Sequence, residues 1–204
     1  EEVSRGNIRL PRREVHRLAP AARNVAMAFE GYSLYPPLTV KENMAFALKA
    51  SKLSSAEVDK KVAEIAALLE IESILEKYPS SISGGQQQRA SLGRALIRDA
   101  DLHLLDEPMG QLEPQLRAVL RGRIKHFIKE RGLTAILVTH DQTEANALSD
   151  RIAVMEGGVM QARAHRSLET YDASVALLTD YFQRMTGGKF EPLDSYEYVF
   201  AGRM

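Results

Sequence analysis

Three short apolar runs restrict the fold of this chain more than any other feature. They read VAMAF at residues 25–29, LHLL at residues 102–105 and TAILVT at residues 134–139. Runs of this length, bounded by polar or turn-forming residues, predict buried β-strands. Because the segments between them have helical spacing, strands and helices alternate along the chain. The alternation predicts an α/β fold with a mainly parallel sheet.

The helices are marked by signals at their ends. Ser54 precedes Glu57 at the spacing of a capping box, and Asp141 precedes Glu144 at the same spacing. Gly132 is placed as a C-cap. These signals predict helices over residues 41–50, from residue 54 onwards, over 86–97, over 114–131 and after residue 141.

Helical patterning alone fills the stretch from about residue 36 to 97, which we interpret as an insertion into the α/β core. Near the other end, the runs 152–155 and 159–161 flank Glu-Gly-Gly, which predicts a β-hairpin. The tail after Thr186 has no clear period.

Composition excludes several classes of protein. The chain has no cysteine, which rules out disulfides and thiolate metal sites. Its formal net charge of zero argues against a nucleic-acid surface or an anionic membrane surface. No uninterrupted run of about 18 apolar residues occurs, so no membrane span is predicted. The start, EEVSRGNIRL, has no apolar signal-peptide core.

Two acids follow the apolar run LHLL directly, in LLDEP. They are therefore expected at the carboxyl edge of the sheet, where ligands bind in open α/β folds. Asp106 can position Mg²⁺, since Mg²⁺ prefers oxygen ligands and keeps waters. Glu107 can orient and deprotonate an attacking water. The alternative is a strand end with ordinary surface acids.

Ser83, Gly84, Gly85 and Gln86 stand at a predicted helix start. Small residues there leave backbone N–H groups open, and the helix dipole adds partial positive charge, so the segment can bind an anion. The alternative is a plain N-cap followed by flexible glycines.

His140 follows the run TAILVT and is also expected at the sheet edge. A histidine there can bind a terminal phosphate or hold a water; a structural role is the alternative. For His16, His103, His126 and His165 only a structural role is predicted.

Taken together, these segments resemble the nucleotide-binding subunit of ATP-binding cassette (ABC) transporters. ISGGQQQRASLGRAL resembles the family signature, LHLLDEP the Walker B strand, and ILVTHDQTEA the switch-histidine region. RNVAMAFEGYSLYPPLTVKENMAF resembles the Q-loop region, and SDRIAVMEGGVMQ the hairpin after the switch. Within the family, the chain is most similar to the ATPases of carbohydrate importers of the maltose and glycerol-phosphate type.

The resemblance implies a RecA-like P-loop NTPase core, incomplete here, with an inserted α-helical signature subdomain. It also implies two such chains that enclose two ATP molecules with Mg²⁺, as a homodimer or heterodimer. Further implied partners are transmembrane permease subunits and, indirectly, an extracellular or periplasmic solute-binding protein, but no nucleic acid. The implied location is peripheral, on the cytoplasmic face of the cell membrane.

The resemblance also implies residue roles. Asp106 serves Mg²⁺, Glu107 is the catalytic base, and His140 contacts the γ-phosphate. Glu30, at the Q-loop position, contacts Mg²⁺ and ATP. The residues expected to contact the partner chain's ATP are Ser83, Gly84, Gly85 and Gln86. The residues expected near the groove for the permease's coupling helix are Tyr35, Pro36, Pro37 and Leu38.

Three features depart from the family. The sequence contains no G-x-x-x-x-G-K-[ST] phosphate loop, and EEVSRGNIRL resembles the stretch that follows this loop, so we expect the chain to start downstream of it. Glu30 stands where the family has Gln, which adds a negative charge. Gly110-Gln-Leu-Glu113 stands where the family usually has Ser-x-Leu-Asp, which lengthens a carboxylate in a dimer contact.

The expected domain boundaries follow the same comparison. Residues 1–34 form part of the RecA-like core with the Q-loop region, and residues 35–98 form the helical signature subdomain. Residues 99–165 return to the core, with Walker B, the D-loop and the switch histidine. Residues 166–204 form a C-terminal extension that weakly resembles the link to a regulatory β-domain.

Two main functions stay open at this point, beside a DNA-acting cassette ATPase. The neutral charge and the segment YPPLTVKEN argue against the DNA-acting class. The first function is a transport ATPase, favoured because Glu107 and His140 are both present. The second is a degenerate cassette that only lends its signature to a partner, favoured by Glu30, the altered 110–113 turn and the missing phosphate loop.

Overall fold

A computed structural model describes residues 3, 5–10, 13–156, 159–165 and 197–203. The strands are Arg9–Leu10 (β1), Arg13–Glu14 (β2), Val25–Ala28 (β3), Leu102–Asp106 (β4), Thr134–Thr139 (β5), Arg151–Glu156 (β6), Val159–His165 (β7) and Glu197–Arg203 (β8). The α-helices are Val40–Phe46 (α1), Ser55–Leu69 (α2), Gly84–Leu96 (α3), Pro114–Glu130 (α4) and Gln142–Leu148 (α5). Short 3₁₀ turns lie at Pro20–Arg23, Glu72–Ile74 and Pro79–Ser81.

The larger sheet has six strands in the order β3-β4-β5-β8-β6-β7. The three strands predicted from apolar runs, β3, β4 and β5, are adjacent and parallel, which confirms the α/β prediction. The prediction of a mainly parallel sheet is only half right. Strand β8 lies antiparallel between β5 and β6, and β6 and β7 are also antiparallel. The sequence analysis missed β8 because its segment has no clear alternation.

The core lies on one face of this sheet. Alternate residues of the three parallel strands are buried there, and they share a hydrophobic cluster with α3 and α4. Leu137 of β5 is 2% exposed. The neighbouring residues Leu104 and Ile136 point to the opposite face and are only half-buried. The period of two along each strand therefore separates a well-packed face from a more open one.

Helix boundaries mostly follow the end signals. Ser54 and Glu57 form the predicted capping box at the start of α2. The helix predicted over 41–50 is shorter, because α1 ends at Phe46 and the chain continues in turns. The helix predicted from Gln86 begins two residues earlier, so both glycines of the SGGQ segment lie inside its first turn. No helix in the described ranges is long and apolar enough to cross a bilayer.

Two helical glycines allow a matched test of this packing. A Cβ at Gly122 in α4 would meet nothing within 4 Å, so Gly122→Ala should stabilise the protein by about 0.5–1 kcal/mol. A Cβ at Gly93 in α3 would lie 3.2–3.3 Å from side-chain atoms of Leu69, Ile65 and Met44. We therefore expect Gly93→Ala to lower the melting temperature measured by circular dichroism. An equal rise in both variants would contradict this packing.

His103 on β4 is fully buried, and neither ring nitrogen has a hydrogen-bond partner among the residues that the structure describes. Burial lowers the pKa of His103 below its ordinary value of 6.5, although the nearby Ala95 backbone partly offsets this. With a lowered pKa in the folded state, the unfolded chain protonates His103 at a higher pH than the folded chain does. Stability should therefore fall as the pH drops through the ordinary range of histidine and below it.

The measurement is the free energy of unfolding between about pH 5 and pH 8, the range in which histidine titrates. His103→Leu should flatten the acid side of this curve relative to the native residue. His126→Gln is the control for the loss of one histidine, because the His126 side chain is largely exposed on α4. An unchanged slope in His103→Leu would show that other groups cause the pH dependence.

Candidate functional site

The predicted polar residues meet at one edge of the sheet. Asp106 ends β4 and Glu107 follows it, while His140 follows β5 directly. Glu30 comes two residues after β3. Since these three strands are parallel neighbours, their carboxyl ends lie side by side.

Glu107 has an unusual backbone conformation. Its φ of 43° lies in the left-handed region, which costs about 1–3 kcal/mol for a residue with a side chain. Three hydrogen bonds hold its backbone: its N–H donates to the Val138 carbonyl at 2.9 Å, and its carbonyl accepts from Gln88 Nε2 at 2.8 Å and from the Gly110 N–H at 3.3 Å. Such strain is concentrated at functional sites, where the surroundings fix it. Gln88, 3% exposed, was missed by the sequence analysis.

The Glu107 carboxylate contacts the residues that end β5. Its Oε1 accepts from the His140 backbone N–H at 2.8 Å and lies 2.8 Å from His140 Nδ1. Its Oε2 lies 3.4 Å from the hydroxyl of Thr139. A carboxylate beside Nδ1 favours a proton on that nitrogen, which leaves Nε2 directed away from Glu107. The site thus pairs a candidate base with a candidate phosphate ligand.

Charge at this edge favours a cation. The hydrogen bond that the Glu107 carboxylate accepts from the His140 ring, followed by the negative charge of Glu107, raises the pKa of His140 above its ordinary value. Burial, followed by the charge of Glu107, raises the pKa of the Asp106 carboxyl. A divalent cation beside Asp106 would favour the charged form of this carboxyl, so Asp106 fits a Mg²⁺ ligand. Within the described ranges, no three His, Asp or Glu side chains form a complete protein cage for a metal.

Glu30 is exposed and makes no hydrogen bond or ion pair with any described residue. No structural contact with the described residues therefore occupies the Glu30 carboxylate. Its role toward Mg²⁺ and ATP stays a prediction, supported by its place at the end of β3, beside the strand that carries Asp106.

A buried carboxyl group, Glu144, lies behind the site. It is 1% exposed, its Oε2 lies 3.0 Å from the Thr139 hydroxyl, and its Oε1 is 3.8 Å from Arg117 Nε. Burial raises the pKa of Glu144. The prediction of a capping box is therefore only partly right. The Asp141 side chain caps α5, but the Glu144 side chain contacts Thr139 and Arg117 instead of the Asp141 backbone.

Arg117 connects this region to the 110–113 turn. Its guanidinium donates to Asp141 Oδ2 at 3.2 Å and to the carbonyls of Gly110 and Leu112 at 3.1 Å each. The turn is thereby fixed to the start of α5. Sequence spacing did not identify Arg117, because the groups that it joins are far apart along the chain.

The SGGQ segment caps α3 in the way that its composition suggests. Ser83 and Gln86 form a reciprocal capping box. The glycines also permit a close approach: a Cβ at Gly84 would lie 2.7 Å from the Gln111 side-chain oxygen, and one at Gly85 would lie 3.2 Å from the Gln111 carbonyl. The Tyr32 hydroxyl donates to the same Gln111 oxygen and would lie 3.2 Å from a Cβ at Gly84. The helix start therefore lies against the 110–113 turn.

An exposed aromatic pair lies beside the predicted groove. Tyr35 and Phe46 have ring centroids 5.0 Å apart and are 45% and 44% exposed. Arg94 lies over the Tyr35 ring at 5.3 Å, and Lys49 lies over the Phe46 ring at 5.4 Å. Asn43, fully buried, supports the Tyr35 to Leu38 turn through hydrogen bonds to its backbone. The sequence analysis did not single out Asn43.

Known proteins match both the sequence and the fold. A family model described as "ABC transporter" matches residues 1–110. The chain is 45% identical over 172 residues to "sn-glycerol-3-phosphate import ATP-binding protein UgpC" of Cereibacter sphaeroides, covering 84% of this chain and 49% of that protein. It is 43% identical over 161 residues to "Trehalose import ATP-binding protein SugC" of Mycobacterium tuberculosis, covering 79% and 41%.

Solved structures of ABC transporter cassettes have the same fold as this chain. The chain superimposes with a TM-score of 0.74 and 26% identity on the dimeric structure of MJ0796, a bacterial ABC transporter cassette, covering 82% of this chain and 77% of that one. A structure of the same cassette in a post-hydrolysis state with ADP and Pi matches with a TM-score of 0.73. The fold is thus that of an α/β P-loop NTPase of the ABC ATPase class.

The family match covers residues 1–110, which is more than half of the chain. This chain belongs to the ABC transporter family. The resemblance to importer ATPases of the glycerol-phosphate type is confirmed by the relatives that it matches. The chain spans about half the length of these curated relatives.

Proposed function

We propose that this chain is part of the ATP-binding and ATP-hydrolysing subunit of an ABC importer for a sugar or a related solute. The observation that carries this proposal is the contact between Glu107 and His140, at 2.8 Å, on a carboxylate edge that fits Mg²⁺. The substrate class rests on the names of the relatives, which import glycerol phosphate and trehalose. The alternative of a degenerate cassette does not account for the strained backbone of Glu107 or for the contact of His140 with its carboxylate.

The chemistry assigned to this chain's own residues is simple. Glu107 orients a water toward the γ-phosphate and accepts its proton as the water attacks. His140, held by Glu107 through Nδ1, presents Nε2 to the same phosphate. Asp106 and Glu30 would hold Mg²⁺, which neutralises phosphate charge when bound. The residues proposed to contact ATP bound to a second subunit are Ser83, Gly84, Gly85 and Gln86.

The assembly follows from the same proposal. A second nucleotide-binding subunit faces the SGGQ helix start, as a homodimer or heterodimer. Permease subunits dock near Tyr35, Pro36, Pro37 and Leu38, where the exposed Tyr35–Phe46 pair offers an apolar contact. The subunit is then peripheral, at the cytoplasmic face of the membrane, and a solute-binding protein acts on the other face. The domain division at residues 34, 98 and 165 is part of this proposal.

The test is Mg²⁺-dependent ATP hydrolysis by the protein as its source makes it. We expect turnover that requires Mg²⁺. A polypeptide of this sequence alone is proposed to turn over ATP negligibly, since the sequence contains no G-x-x-x-x-G-K-[ST] loop. Clear hydrolysis by that polypeptide, abolished by Glu107→Gln, would overturn the second statement.

Absence of Mg²⁺-dependent hydrolysis by the native protein would weaken the enzyme proposal. The degenerate function would then be favoured, and the partner subunit would have to supply the phosphate loop. Such a partner would itself carry an intact loop and an impaired signature.

A further inference from the structure

Gln88 is a neutral side chain in the middle of the site that no function described so far uses. It lies in the second turn of α3, four residues after Gly84, and is 3% exposed. Its amide makes two good hydrogen bonds in opposite senses. Nε2 donates to the Glu107 carbonyl at 2.8 Å, and Oε1 accepts from the Gln111 N–H at 2.9 Å.

These two bonds join α3 to two points of the connection between β4 and α4. Glu107 follows β4, Gln111 belongs to the 110–113 turn, and Gln88 itself is on the helix that begins with the SGGQ segment. The hydrogen bond donated by Gln88 Nε2 reaches the carbonyl of Glu107, the residue whose backbone lies in the left-handed region with φ of 43°. Because the Glu107 N–H is held by Val138, a rotation about φ of Glu107 would move its carbonyl away from Gln88 and turn its Cα–Cβ bond at the same time.

The direction of the Glu107 side chain has a measurable consequence. Its Oε1 meets both the backbone N–H and Nδ1 of His140 at 2.8 Å. Both contacts depend on the same Cα–Cβ direction, and thus on the backbone that Gln88 holds. The Gly110 N–H also reaches the Glu107 carbonyl, but at 3.3 Å and from a flexible residue type.

We infer that Gln88 is a positioning residue for the base: its amide fixes the strained Glu107 peptide and so directs the Glu107 carboxylate at His140. As a positioning residue for hydrolysis, it rests on the proposed function. Because the same amide holds the 110–113 turn, Gln88 also ties the base to the helix that starts at the SGGQ segment. A shift of that helix would therefore reach Glu107 directly.

The experiment compares three variants of the native protein. Gln88→Met keeps the length of the side chain and removes both hydrogen bonds. Gln88→Glu keeps an acceptor for the Gln111 N–H but replaces the donor to Glu107 with an oxygen. Gln87→Met is the matched control, because Gln87 is the adjacent residue, and its amide donates only to the Pro79 and Ile82 carbonyls, at 3.0 and 3.3 Å.

Two quantities are measured. For ATP hydrolysis, we expect both Gln88 variants to lower kcat by about 10–100-fold with little change in KM, as for a misplaced catalytic group. By NMR titration of the His140 ring, we expect the pKa of His140 to fall toward its ordinary value, since its contact with Glu107 weakens. Gln87→Met should change neither quantity.

Several results would overturn the inference. One is a native kcat and an unchanged His140 titration in Gln88→Met; if that variant does not fold, the same result in Gln88→Glu decides. Another is an equal loss in Gln87→Met, which would indicate a general effect on α3. The NMR titration needs no turnover. If the native protein does not hydrolyse ATP, the proposed function fails. The change in the pKa of His140 in the Gln88 variants still tests the positioning role of Gln88.

Discussion

Replacement of Glu107 by glutamine is expected to lower ATP turnover by the native protein by about 100- to 10,000-fold, the usual contribution of a general base. The amide oxygen of glutamine can still accept from the His140 N–H, so the fold and the backbone at residue 107 should survive. What is lost is the proton acceptor. Nucleotide binding should persist, because this side chain is proposed to act on the attacking water and not to hold ATP.

Steady-state hydrolysis and equilibrium binding of ATP measure the two effects separately. Asp101→Asn is a suitable control, since Asp101 lies just before the opposite end of β4 and its side chain makes an exposed ion pair with Arg13. It should keep near-native turnover and lose little stability. Native turnover in Glu107→Gln would assign the base to another residue, whereas a loss of ATP binding would assign Glu107 to the nucleotide itself.

The largest effect on stability is expected from Leu137→Ala. Leu137 is 2% exposed in the centre of β5, on the sheet face that packs against the helices. Truncation removes buried methyl groups and leaves a cavity between rigid elements. We therefore expect the free energy of unfolding, measured by urea denaturation, to fall by about 3 kcal/mol.

Ile136→Ala is the matched control on the same strand. Ile136 points to the other face and is half-buried, so its truncation leaves no closed cavity. Its expected cost is about 1 kcal/mol. If the two variants lost equal stability, the half-buried face of the sheet would be packed as tightly as the helical face in the native protein.

The strands β3, β4 and β5 and the longer helices were predictable because their signals are local. A strand needs a short apolar run, and the start of a helix needs a side chain such as Ser54 that can satisfy free N–H groups. The capping box assigned to Glu144 failed because spacing does not show competing partners. Glu144 had a buried hydroxyl at 3.0 Å to bind instead.

The candidate site was predictable in its residue types but not in its geometry. Acids and a histidine that follow buried parallel strands must lie at one sheet edge, so Asp106, Glu107 and His140 could be named from sequence. That Glu107 contacts His140 at 2.8 Å depends on the alignment of β4 and β5, which no local pattern encodes. The roles of Gln88 and Arg117 depend on helix packing in the same way.

The sequence by itself determined the family, the α/β class and the chemical groups of the site, because these depend on side-chain types at short, regular spacings. Only the tertiary structure decided where β8 lies, which carboxyl group is buried, and how the Glu107 peptide is held. These outcomes depend on groups that are distant along the chain: Gln88 and Glu107 are 19 residues apart, and Glu107 and His140 are 33 apart. Such partners meet only when strand order and helix packing are complete.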